Sequence, residues 1–184
     1  MFGTGQKEEA MLYYLYMMSD GEISGNERKL FSKICKEMDL DEDDKRVVMK
    51  KCKEMTKNSS TILGVILSNN LDEQVGRGWF GITNSSMLSS VIWNLVNLGY
   101  ADKVYSDDEK RIVDHLVKKW EIDPEVYQEM VDTADTMLAL TNQKEWVAST
   151  FEKGSARNKR MKKIDSEIER LHSDIKLTID ELTM

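Results

Sequence analysis

Leu30, Phe31, Ile34, Cys35 and Met38 fall at i, i+1, i+4, i+5 and i+8, the spacing of one apolar helix face. The same spacing returns 82 residues later in Ile112, Val113, Leu116, Val117 and Trp120. Laying "SDGEISGNERKLFSKICKEMDLD" over "ADKVYSDDEKRIVDHLVKKWEID" also matches Asp20 to Asp102, Ser24 to Ser106, Glu27 to Glu109, Lys36 to Lys118 and Asp41 to Asp123. The register runs on without a gap, placing Val48, Met49, Cys52 and Met55 over Met130, Val131, Ala134 and Met137. The chain therefore carries one helical pattern twice.

Each copy predicts three helices. The first covers about 6 to 19 and about 86 to 101, the second about 25 to 39 and about 107 to 121. The third starts behind Asp41 or Asp123, each a good N-cap, with acids in the first turn after Asp41 and Pro124 at the favourable first helical position after Asp123. Two copies are too few for a solenoid. Each has one broad apolar face and too little mass to bury it alone, so the two are expected to close on each other about a pseudo-two-fold axis. Between them "TILGVILSNN" predicts a short buried helix and "VGRGWFGITNSS" a glycine-interrupted loop. After Gly154, Met161, Ile164, Ile168, Leu171 and Ile175 step by three and four, a narrow stripe with charges around it. That stripe is open to two covers, its own domain or a partner helix. The expected fold is all-α: a bundle of two pseudo-symmetric three-helix repeats (about 6–57 and 86–139) in a domain over 1–140, with a helical extension over 141–184.

A single proline among 184 residues agrees with long uninterrupted helices. The formal charge of -7 argues against nucleic acid as a partner, because neutralising phosphates requires a basic surface. The charge is uneven: residues 153–163, "KGSARNKRMKK", carry six basic and no acidic side chains, leaving -13 on the rest. That basic run is placed to meet an acidic surface, either a protein partner or the body of a second copy. The amino-terminal stretch lacks the basic and apolar regions of a signal peptide, and no run of about 18 apolar residues occurs, so a cytoplasmic protein without a membrane span is expected.

"DGEISGNE", Asp20 to Glu27, has the order of the second half of an EF-hand loop, but the positions where such a loop opens hold Tyr16 and Met18, which cannot chelate a hard cation. Capping explains part of it. Ser24-Gly25-Asn26-Glu27 and Ser106-Asp107-Asp108-Glu109 both spell S-x-x-E before an apolar run, a capping box. Gly21 suits a left-handed residue after the first helix, and Lys103 in the second copy is expected to take another geometry. Asp20 and Asp102 are left over. Near a helix C-terminus an aspartate faces the negative end of the macrodipole, so each needs a compensating partner: a lysine, a backbone N–H of the turn, or a divalent cation shared with the carboxylate seven residues on. Oxygen ligands suit Ca²⁺ or Mg²⁺ and, with distortion, Mn²⁺ or Zn²⁺.

"MLYYLYMMSDGEISGNERKLF" and its echo "LVNLGYADKVYSDDEKRIV" resemble the two halves of the tellurite-resistance TerB-like family over roughly residues 6 to 140. The resemblance implies an all-helical domain with acidic clusters that bind divalent metal, and a non-enzymatic role in tellurite or general stress response. Carried over residue by residue, the metal ligands are Asp20, Glu22 and Glu27, with Asp102 and Glu109 as counterparts. Lys103-Val104 replaces Gly-Glu in the second copy and leaves that site poorer in acid. Two rivals stand beside this reading, a metal-dependent hydrolase using the same carboxylates around an activated water and a structural scaffold in which every acid is a cap.

The other chemistry-bearing residues predict packing. Cys35 and Cys52 sit on apolar positions without a metal-ligand spacing and are expected as buried free thiols. His115 and His172 are too few and too far apart for a zinc site or triad and are expected on the surface. Met11, Met17 and Met18 among Tyr13, Tyr14 and Tyr16 predict core.

Overall fold

The computed structural model of the chain describes residues 4–59, 61–76 and 85–181, and the elements among these are all helical. They are α1 (Thr4–Met17), α2 (Gly25–Glu37), α3 (Glu42–Met55), α4 (Ile62–Ser68), α5 (Leu71–Gly76), α6 (Ser85–Tyr100), α7 (Asp107–Lys119), α8 (Pro124–Thr150) and α9 (Ser155–Glu181). The chain divides into two compact units, Met1–Asp123 and Pro124–Met184. The dividing line expected at 140/141 falls inside α8, which runs unbroken through it.

In the first unit α1 is the axis, packed against α2, α3, α4, α5, α6 and α7. Its residues 10–17 are buried without interruption, because the Met and Tyr positions leave no polar stripe to face water. Tyr13 and Tyr16 are fully buried, and the Tyr13 hydroxyl donates to Glu9 (2.6 Å) and accepts from Asn94 (3.1 Å), fixing α1 to α6. Both thiols are buried, and burial pushes each up to about 12, which makes them inert hydrophobes rather than nucleophiles.

Local geometry recurs at the 82-residue offset. Both capping boxes are formed. Asp39 and Glu121 both take positive φ behind their helices, with Leu40 N–H donating to Cys35 O and Ile122 N–H to Val117 O, the same C-terminal lock twice. Lys103 takes φ +74° where Gly21 has +93°, so the different geometry expected for Lys103 is corrected: the lysine accepts a left-handed backbone at a cost of roughly 1 kcal/mol. The third helices differ in length, with α3 stopping at Met55 and α8 continuing to Thr150.

The "TILGVILSNN" stretch forms α4, capped by Thr61, whose hydroxyl accepts from Gly64 N–H. The pattern missed α5; the rest of the predicted loop, 77–84, lies outside the described residues. In the second unit α9 returns along α8, pinned by Lys144 to Asp165 (2.5 Å) and Thr178 to Glu129 (3.4 Å). Ile164 and Ile175 of the stripe are buried, joined by Ile179, with Met161, Ile168 and Leu171 half-buried. Of the two covers left open for the stripe, the chain's own α8 supplies one.

Candidate functional site

The first acidic turn is built by the end of α1. Met18, Ser19 and Gly21 N–H groups donate to Leu15, Tyr16 and Met18 carbonyls, and the positive φ of Gly21 turns the chain away. Asp20 then accepts the Glu22 N–H at 3.1 Å, and Asp102 accepts the Val104 N–H at 2.9 Å. Of the three compensating partners open to these aspartates, both use a backbone N–H of their own turn.

The glutamates behave differently from the aspartates. Glu27 and Glu109 are only 1% and 2% exposed, although they sit at helix starts where water is close. The Ser24 N–H donates to Glu27 Oε2 at 2.6 Å and the Ser106 N–H to Glu109 Oε2 at 2.8 Å; the serine hydroxyls accept the glutamate N–H groups at 3.1 and 3.2 Å. Glu27 Oε1 is buried with no hydrogen-bond partner. Glu22 is exposed, and Val104, its counterpart, is 64% exposed.

The two turns are neighbours, which their separation along the chain does not reveal. Asn26 Nδ2 donates to Ala101 O at 3.2 Å, tying the start of α2 to the end of α6. Burial pushes the Glu27 carboxyl up against the pull of its Ser24 bonds, and the charges of Asp20 and Asp102 push the same way. Burial likewise lifts Glu109, to about 7, over the opposing bonds from Ser106, with Asp102 and Asp20 adding to it. Each buried glutamate thus feels both aspartates. Among the described residues, however, no three His, Cys, Asp or Glu side chains converge at metal-ligating spacing. The donor chemistry, oxygen only and one oxygen orphaned, fits a hard cation such as Ca²⁺, Mg²⁺ or Mn²⁺ better than Zn²⁺.

A second polar centre has no local signal in the sequence. Asp72, 1% exposed on α5, accepts from Lys119 Nζ at 2.7 Å and lies 3.3 Å from His115 Nε2, while its carbonyl accepts the Trp120 indole N–H at 2.9 Å. Burial raises the Asp72 carboxyl, but the bonds from Lys119 and His115 outweigh it and hold it below its usual range. His115 is therefore corrected from a surface residue to a half-buried partner of a buried carboxylate; His172 is half-buried too. His115 and Lys119 share a helix face at i, i+4, and nothing local in the sequence points to an aspartate more than 40 residues earlier. No family model, curated protein or solved structure matches the chain.

Proposed function

We propose that this chain is a non-enzymatic helical binding module of the TerB-like type, in which the paired acidic turns hold a divalent cation and the α8–α9 hairpin engages a protein partner or a second copy, in a tellurite or general stress response. The observation that carries the cation is that each of two buried carboxylates, Glu27 and Glu109, lies within reach of the charges of both Asp20 and Asp102. Asp20 and Asp102 oppose the charge on each glutamate, and a cation between the turns relieves that repulsion and satisfies Glu27 Oε1. Glu22 adds charge at the rim of the first turn. The recurrence of caps and positive φ at one offset supports a pseudo-two-fold relation between the α1–α2 and α6–α7 turns, with the cation near its axis.

The test is metal analysis of protein purified without chelator, followed by calcium and manganese titration. The parent binds; Asp20→Asn weakens binding more than Asp102→Asn, because the first turn also has Glu22. No binding by the parent overturns the reading and leaves the scaffold alternative, which the local hydrogen bonds of all four acids favour. Metal-dependent turnover of a phosphate ester, lost in the same variants, would move the assignment to the hydrolase.

A further inference from the structure

Beside the first turn lies a partly open cavity of about 440 Å³, within the size range of small-molecule sites. Its apolar side is made by Ile62 and Leu63, both half-buried, with Val65 and Ile112 beneath. Its polar side is the residues that follow two helix ends: Ser19 and Asp20 after α1, and Thr56, the C-cap of α3. The starts of α4 (Thr61, Ile62, Leu63) and α7 (Asp108) line the cavity as well, so the partial charges of the helix ends oppose one another and the side chains set its sign. Ser19 Oγ is buried there without a hydrogen-bond partner. The charges at the mouth are Asp20, Asp108 and Arg111; Arg111 is paired with Asp108 at 3.1 Å, whereas Asp20 is held by the Glu22 N–H alone and keeps its net negative charge. An apolar wall facing the Asp20 carboxylate is complementary to a cation carried on an apolar chain.

We propose that this cavity binds a small organic cation, a primary ammonium on a short aliphatic chain. The ammonium sits between Asp20 and the Ser19 hydroxyl, and the chain lies over Ile62, Leu63 and Ile112. The site needs no metal, so it goes beyond the divalent-cation reading and is tested apart from it.

The experiment is calorimetric titration of the full chain in excess EDTA with n-hexylammonium, n-hexanol, n-hexanoate and ammonium chloride. Hexylammonium is expected to bind at least about tenfold more tightly than hexanol or ammonium, with no binding of hexanoate, and Asp20→Asn is expected to remove that preference while leaving hexanol unchanged. Ile62→Trp, which fills the cavity, and Ser59→Trp, which closes its exposed rim, are each expected to abolish hexylammonium binding. Circular dichroism of each variant checks the fold, and Ser59→Trp decides the point if Ile62→Trp fails to fold. Equal affinity for hexanol and hexylammonium overturns the proposal in favour of an unspecific apolar crevice. So does the absence of hexylammonium binding at millimolar concentration, or binding that survives Ser59→Trp in a folded protein. Because EDTA is present throughout, these failures say nothing about divalent metal, and failure of calcium or manganese to bind says nothing about the amine.

Discussion

Replacing Glu109 by Gln removes a charge that the fold disfavours and keeps an oxygen to accept the Ser106 N–H. Its carboxyl is lifted from 4.5 to about 7 by burial first and by Asp102 and Asp20 after it. That lift corresponds to about 3 kcal/mol. The sign follows from the direction: a folded pKa above the unfolded one favours the protonated state, so the contribution is complete below about 4.5 and is lost as pH rises through about 7. At pH 8.5 the metal-free parent bears the full charge. Gln avoids it, but exchanges a charge-assisted bond from Ser106 for a neutral one at a loss of about 1 kcal/mol. Glu109→Gln is therefore expected to stabilise the metal-free protein by about 2 kcal/mol at pH 8.5 and to be close to neutral at pH 5. Amide hydrogen exchange in α2 and α7, in EDTA, reads the first unit by itself. A variant that is less stable than the parent at pH 8.5, or that keeps the parent's full loss of stability between pH 5 and 8.5, refutes the burial argument.

Gly99→Ala is expected to destabilise the first unit by more than about 2 kcal/mol in urea unfolding, because the added Cβ would clash with the Tyr16 hydroxyl and meet the Tyr105 ring at 2.7 and 2.9 Å. Lys103→Gly relieves the strained φ of +74° and is expected to raise stability by up to about 1 kcal/mol, measured by the same unfolding curve. Asp72→Asn removes the carboxylate that pairs with Lys119 and contacts His115, and is expected to cost about 2 kcal/mol at pH 7. Since the Asp72 carboxyl is held below 3.8, its contribution is present above that pH and is lost as pH falls through the lower folded value; the variant's deficit should therefore vanish in strong acid.

The helices of the first unit were legible because their signals are local. A capping box spans four residues and an apolar face repeats within two turns, so α2, α7 and the caps at Ser24, Asp41 and Ser106 could be placed from the sequence. The acidic residues of the candidate site were legible one by one, yet their meeting was not: it depends on α2 packing against α6, and only Asn26 reaching Ala101 reveals it. The Asp72 centre was invisible for the same reason. An aspartate in a six-residue helix looks like a solvated first-turn acid, and its burial is decided by Lys119, His115 and Trp120 on a distant helix. The left-handed backbone of Lys103 is not legible because intrinsic preference argues against it, whereas the turn recurs at the same offset as Gly21 and the residue yields.

The hairpin carries the last question, whether two copies associate. A seam of Ile164, Ile175 and Ile179 buried within the chain leaves little apolar reason for association. Charge leaves another. Residues 144–163, around the hairpin turn, hold seven basic and two acidic side chains, while the rest of the second unit holds two basic and ten acidic ones. Helices laid antiparallel between two copies bring each basic end onto the other's acidic end, a self-complementary and closed arrangement. Exposed Trp146 lies at the basic end, and Arg160 is held over Phe151 at 4.4 Å. Attraction of this kind is screened over about 10 Å at 0.1 M salt and about 3 Å at 1 M. Light scattering is therefore expected to show dimers at low salt that dissociate at 1 M, whereas a dimer held by an apolar seam would persist. Ile168→Asp with Leu171→Asp tests the other half: it strikes the seam to α8, so it is expected to expose α9 to protease while the first unit stays folded. A monomer at every salt concentration refutes the charge argument, and an α9 cleaved as readily in the parent as in the double variant refutes the seam.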